Sequence, residues 1–312
     1  MKKEKQQIIR RKLSWYAIQA FTFLNGTLPL GWSYFLGRVL GRAAYFIASR
    51  HRRIALDGLA MAFPHLDNVV KKKTARDSFV FMAQSALEAI CFLKNQRYLN
   101  KVCIQGEDNL KQALENGTGV IIVSAHLGNF PLMSLKLAKE GYAVNVVVRP
   151  MRDPKAGDYF QELRNTAGVK TIFSYPRKEC VIGIINALRR NEIVMIQMDQ
   201  NFGTGGVWVK FFGKLAATPV GPIVFAIRTK AVIVPGYISR ENNGNHSIKL
   251  FPGEPIILDK DKNKMILINV INITRRIEEW VRAFPGQWGW IHRRWKSRPS
   301  EKIKKLKFKI EN

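Results

Sequence analysis

Val120-Ile121-Ile122-Val123-Ser124-Ala125-His126-Leu127-Gly128-Asn129-Phe130-Pro131 decides how this chain is read. Four consecutive β-branched aliphatics are too short a run for a buried helix and suit a strand buried on both faces. The run breaks at a His- and Gly-bearing turn, and an amphipathic stretch over Asn129–Lys139 follows. Strand, turn and helix then alternate along the chain, which is the pattern of a parallel sheet with crossover helices. Further strands are expected at Val102–Ile104, Val144–Val148, Lys170–Phe173, Ile193–Met198, Val232–Ile238 and Ser247–Phe251. Helices are expected at Asp108–Glu115, Lys155–Ala167, Lys178–Arg190, Pro219–Thr229 and Lys264–Ala283, with Thr218 capping the helix that Pro219 opens. Upstream, Gly31–Ser49 and Lys71–Leu93 read as helices separated at Pro64. The fold class is therefore α/β, a central, mostly parallel sheet flanked by helices and preceded by a helical N-terminal region.

With 312 residues and 46% hydrophobic content the chain can bury a large core, which argues against disorder. The 51 Lys and Arg outnumber the 23 Asp and Glu, for a formal charge of +28. That excess suits nucleic acid, an anionic membrane, or acidic substrates and carrier proteins. No nucleic-acid recognition motif accompanies the charge, so nucleic acid is not expected as a partner. Basic residues crowd both ends, as Lys2, Lys3, Arg10, Arg11 and Lys12, and as Lys302, Lys304, Lys305, Lys307 and Lys309. Cys91, Cys103 and Cys180 are widely spaced, which indicates neither a disulfide framework nor a zinc site. From Leu13 to Gly37 there is no charged residue. Asn25, Gly26 and Pro29 interrupt this stretch, and Trp15, Tyr16, Trp32 and Tyr34 are interface-seeking aromatics. It reads as a broken membrane anchor or an in-plane amphipathic pair, with a single tilted span or a buried helix as the alternatives.

A side chain at the carboxyl end of a parallel strand projects into the crevice where such folds bind ligands. His126 stands there, and a neutral imidazole can take a proton from a hydroxyl; the other reading is a capping or core histidine. Gly128 lets substrate approach, and amides near Gly128 and Asn129 can face developing negative charge.

The run around His126 resembles the motif of glycerolipid-type acyltransferases, in the form used by bacterial lipid A biosynthesis (lauroyl and myristoyl) acyltransferases. Further segments match that family in order. These are Leu59–Pro64, Val148-Arg149-Pro150, Met198-Asp199-Gln200 leading to Phe211-Phe212-Gly213 and Ala217-Thr218-Pro219, and Gln287–Lys296. The resemblance implies a membrane anchor and helical region over residues 1–50 and an acyltransferase domain over 51–312. It also implies a place at the bacterial inner membrane, with the catalytic domain on the cytoplasmic side. Acyl carrier protein or acyl-CoA would be the donor and a lipid A precursor the acceptor, with another glycolipid or a lysophospholipid as the alternative acceptor and a catalytically silent lipid-binding protein as the other reading. No NAD, ATP or metal is expected, since no complete nucleotide-binding fingerprint is present.

In one place the chain departs from that pattern. Pro131 stands where the family carries the acid that follows its histidine. Asp199, at the end of the Ile193–Met198 strand, reaches the same rim of the sheet and is the expected substitute, as related acyltransferases bring an acid from this strand. Its alternative role is to cap or salt-bridge a loop, while Glu140 and Glu162 are weaker substitutes on helix exteriors. Among the cations, Arg164 matches a family arginine and is the expected catalytic or oxyanion contact. Arg149 and Arg152 are the other candidates for binding substrate phosphate.

Overall fold

The computed structural model describes residues 29–299, together with residues 19, 22–24, 26 and 27. Most of the uncharged stretch before Pro29 and both basic ends lie outside the described residues. Three helices come first: α1 (Leu30–Ile47), α2 (Ser49–Ala62) and α3 (Asn68–Lys94). Residue 50, the boundary expected from the sequence, falls inside α2. Helix α1 lies along α3 so closely that a Cβ on Gly41 would stand 2.4 Å from the Cα of Val80. On the far side of α1, Trp32, Phe35, Val39, Phe46 and Ile47 are exposed. Among the described residues no helix is long and apolar enough to cross a membrane.

The remaining elements build a seven-stranded sheet. They are β1 (Val102–Gln105), α4 (Glu107–Glu115), β2 (Val120–Ser124), α5 (Phe130–Lys139), β3 (Val144–Val148), α6 (Pro154–Thr166), β4 (Val169–Phe173), α7 (Arg177–Arg189) and β5 (Ile193–Gln197). The hairpin β6 (Val207–Phe211) and β7 (Lys214–Thr218) interrupts them, and α8 (Gly221–Thr229), β8 (Val232–Arg240), β9 (His246–Leu250) and α9 (Lys262–Ala283) complete the chain. The strand order is β1-β9-β8-β2-β5-β3-β4. Strands β8, β2, β5, β3 and β4 are mutually parallel, whereas β9 is antiparallel to β8 and carries β1 parallel to itself.

Strand β2 is central, between β5 and β8, and every residue of it is buried. Its side chains alternate between two cores. Ile121 and Val123 join Leu188, Val194, Ile223 and Ile273 on one face, and Val120 and Ile122 join Leu132, Leu137, Ile193 and Val234 on the other. Each such side chain contributes roughly 1.5–3 kcal/mol when fully buried, so a polar residue inside β2 would be strongly destabilising. The parallel strands end together, which brings the residues following β2, β5 and β3 to one rim. All seven strands expected from the sequence are present.

Thr218 does not cap α8. It ends β7, and the helix begins at Gly221 with Val220 as its N-cap.

Candidate active site

The rim puts His126, two residues beyond β2, beside Asp199, two residues beyond β5. Asp199 Oδ1 lies 2.8 Å from His126 Nδ1, and Oδ2 accepts the backbone N–H of His126 (3.0 Å) and the indole N–H of Trp288 (2.7 Å). The Asp199 side chain is 1% exposed and that of His126 30%. Burial is the largest single influence on the Asp199 carboxyl and pushes its pKa up. The charge and hydrogen bond of His126, with the Trp288 and backbone N–H groups, outweigh it and hold the pKa at about 2. An ionised carboxylate can only accept, so the Nδ1 of His126 carries the proton and Nε2 is its basic nitrogen. For His126 burial is again the largest influence, here disfavouring the cation, but the Asp199 charge and hydrogen bond raise the pKa above its usual value. Phe130 packs edge-on against the ring at 4.9 Å between centroids and fixes its plane.

His126 opens on a cavity of about 470 Å³. One face of α3 forms its apolar wall through Phe81, Met82, Ser85, Ala86 and Ala89, at helical spacing. Phe130 and Ile291 add to that wall, and the N-terminus of α5 borders it through Asn129 and Pro131. Pro131 sits in the first turn of α5, where its missing N–H costs no helical bond.

Gly128 serves the turn differently from expectation. Its φ is +61°, and a Cβ there would stand 1.9 Å from the carbonyl oxygen of Ile238, so only glycine fits. Its N–H is donated to Gln287 O (3.0 Å) and is not free to meet an oxyanion. Asn129 is buried and turns its side chain inward, with Nδ2 donating to Ser85 O (3.1 Å) and Glu88 Oε2 (2.7 Å). Arg149 and Arg152 are exposed just beyond β3, on the rim that carries His126. Arg164 does not come to this cavity. It lies in the last turn of α6, which runs from the carboxyl rim back towards the opposite edge, and its Nε donates to Thr171 Oγ1 on edge strand β4 (3.0 Å).

Two groups hold the site in place, one that sequence reading missed and one that it named only as a matched segment. One is the fully buried Glu88. It accepts from Asn129 Nδ2, His246 Nε2 (2.8 Å), Arg240 (2.8 Å) and the Tyr34 hydroxyl. Arg240 in turn exchanges backbone hydrogen bonds with the Gln287 side chain (2.8 Å each), and Gln287 O takes the Gly128 N–H. A ring of contacts from Glu88 through Asn129, Gly128, Gln287 and Arg240 back to Glu88 thus encloses the turn after His126. Burial acts to raise the Glu88 pKa, but hydrogen bonds and charge from His246 and Arg240 bring it to about 2. The only sequence signal was a carboxylate within the apolar run Ala86–Cys91.

Replacing Glu88 with alanine leaves Arg240 buried without its counter-charge, which is expected to cost about 3–5 kcal/mol. Thermal unfolding should show a Tm lower by roughly 10 °C, and an unchanged Tm would contradict the assignment. Because the Glu88 pKa is depressed, its contribution is present above the unfolded value of about 4.3 and is lost as pH falls through about 2.

The second group is the C-terminal segment. Trp288 donates to Asp199, and the buried Arg294 donates to Gln200 O (3.2 Å), Ala217 O (2.6 Å) and Thr218 Oγ1 (2.5 Å). Burial lowers the Arg294 pKa to about 10. Two of the matched segments, Met198–Gln200 and Gln287–Lys296, are therefore one structure built around the Asp199 carboxylate.

The sequence model of the family described as bacterial lipid A biosynthesis acyltransferase matches residues 1–297. The chain belongs to that family. It is an acyltransferase, similar to the lipid A biosynthesis lauroyltransferase of Escherichia coli strain K12, with 24% identity over 294 residues, 92% of each chain. The lipid A biosynthesis palmitoleoyltransferase of the same strain is likewise 24% identical over 295 residues, 92% of each chain. The phosphatidylinositol mannoside acyltransferase of Mycobacterium tuberculosis strain H37Rv is 25% identical over 216 residues, 69% of this chain and 66% of its own. Among the described residues of this acyltransferase, no three His, Cys, Asp or Glu side chains are grouped to hold a metal ion.

Proposed function

We propose that this acyltransferase moves a fatty acyl group from an acyl carrier protein or CoA thioester to a hydroxyl of a lipid A precursor, at the cytoplasmic side of a bacterial inner membrane. The observation that carries the reading is His126, proton-tagged at Nδ1 by Asp199, with its basic side on an apolar cavity. In this reading His126 Nε2 takes the hydroxyl proton, and the oxygen attacks the thioester carbon. The first amides of α5 supply positive potential at the cavity edge. The apolar wall on α3 receives the acyl chain, and Arg149 and Arg152 on the same rim meet acceptor phosphates. The exposed apolar side of α1, flanked by Arg38 and Arg42, supports an in-plane contact with an anionic membrane. The net charge of +28 suits both that surface and an acidic carrier protein.

The mycobacterial relatives favour a second reading for the acceptor alone, a mannosylated phosphatidylinositol. One experiment separates the two. Purified protein is given lauroyl-acyl carrier protein or lauroyl-CoA with a tetra-acylated lipid A precursor or a phosphatidylinositol mannoside, and products are weighed by mass spectrometry. A gain of one acyl chain on the lipid A precursor is the expected result. Acylation of the mannoside alone would transfer the reading to the second acceptor, and no product in any combination would sink both.

A further inference from the structure

Several hydrogen-bond donors around the cavity are committed to the protein itself. The Gly128 N–H goes to Gln287, both Asn129 Nδ2 protons go to Ser85 and Glu88, and the Gln287 amide goes to Arg240. His126 Nδ1–H is held by Asp199. Two charges develop during acyl transfer, one on the hydroxyl being deprotonated and one on the thioester carbonyl oxygen. Nothing among these committed side chains answers the second.

His292 differs from them. It borders the cavity beside His126, on the segment that Trp288 and Arg294 clamp to the rim. Its Nδ1 is sealed from solvent and meets no donor or acceptor among the described residues. A sealed N–H without an acceptor is rarer in proteins than a sealed lone pair, so the neutral ring carries its proton on Nε2. Burial, the largest influence, lowers the pKa of His292. The Asp199 charge opposes this, while His126 and Arg294 add to it, and the ring stays neutral at pH 7.

We propose that His292 is a second catalytic histidine, whose Nε2–H donates a hydrogen bond to the acyl carbonyl oxygen as that oxygen becomes an oxyanion. The role rests on the acyl-transfer reading above. His126 Nε2 takes the acceptor's hydroxyl proton while the C–O bond forms, and the carbonyl π pair moves onto the oxygen facing His292. When that pair returns, the C–S bond breaks and the leaving thiolate takes the proton from His126. Ester and thiol are the products, and His292 ends with the proton it began with. Its clamped segment makes it a preorganised donor, which is where such contacts have their largest effect.

Two measurements test this. Nitrogen NMR of protein labelled with ¹⁵N-histidine, with the His292 signals identified by their loss in His292→Gln, should show a neutral Nε2–H tautomer at pH 7. An Nδ1–H tautomer or a doubly protonated ring would overturn the proposal without reference to turnover. In the second, His292→Phe keeps the ring volume and removes the donor, so kcat is expected to fall about 10²–10³-fold with KM for the thioester unchanged. His292→Gln, which retains an N–H, should recover part of the loss. A His292→Phe protein with wild-type Tm and wild-type kcat would overturn the role. Wild-type protein that acylates no acceptor would instead defeat the acyl-transfer reading, and this role with it.

Discussion

His126→Ala is expected to lower kcat about 10²–10⁴-fold, the range in which a positioned general base acts. The loss should fall on kcat with little change in KM, because the imidazole meets the hydroxyl proton only as it is transferred. Folding should survive the change. The His126 side chain is 30% exposed, and its backbone N–H, which bonds Asp199, is retained. The substitution does remove one partner of the buried carboxylate, so a modest fall in Tm accompanies the loss of rate. Trp288 and the backbone still satisfy Oδ2. A variant with wild-type kcat would show that some other group takes the proton.

Asp199→Asn is expected to be comparably severe. In a Ser-His-Asp triad the same change lowers kcat by about 10⁴-fold because the imidazole takes the wrong tautomer. The geometry here gives the same reason. Asp199 Oδ1 is the acceptor for Nδ1–H, and an amide nitrogen in its place would ask Nδ1 to accept, placing the proton on Nε2 and removing the base. Trp288 and the His126 backbone N–H both require an acceptor at Oδ2. In the Asp199→Asn variant these two bonds force the amide oxygen onto the Oδ2 side and the NH₂ towards the imidazole. Retention of wild-type kcat would mean that His126 is oriented by something other than this carboxylate.

The sheet could be read from the sequence because its strands are buried on both faces and so appear as unbroken aliphatic runs, Val120–Val123 above all. Asp199 could be read as the partner of His126 from its place at the end of β5, since parallel strands that end together share a rim, and from the acid that related acyltransferases bring from this strand. The hairpin of β6 and β7 escaped. Its two-residue turn, Phe212-Gly213, has positive φ at both positions (51° and 70°), a geometry usually marked by Asn-Gly or Asp-Gly. Phenylalanine is tolerated there because Phe63 and Trp295 pack against it, Arg282 lies 4.4 Å over its ring, and Glu278 accepts its N–H (2.5 Å). None of these partners is near it in sequence. The Glu88 ring escaped for the same reason, with members drawn from α3, the turn before α5, β8 and the C-terminal segment. Arg164 was misplaced because a motif match fixes a residue's position along the chain but not which edge of the sheet its helix turn reaches. Gly128 was read as a residue with a free amide, whereas its backbone conformation and close approach to Ile238 require glycine and its N–H is committed to Gln287.

Catalysis in this reading turns on one pair, a base at the end of β2 set by a carboxylate at the end of β5 in place of an acid at position 131. The pH dependence of kcat/KM for wild type and Asp199→Asn tests it most directly. Neutral His126 is the active form, and its pKa is raised in the folded protein, so the wild-type rate should climb with pH through a value above about 6.5, the unperturbed histidine pKa. Removing the Asp199 charge leaves burial as the dominant influence, which favours the neutral ring. The residual activity of Asp199→Asn should therefore rise at a pH below about 6.5. Identical profiles in the two proteins would show that Asp199 does not set the proton affinity of His126, and the central pairing would be wrong.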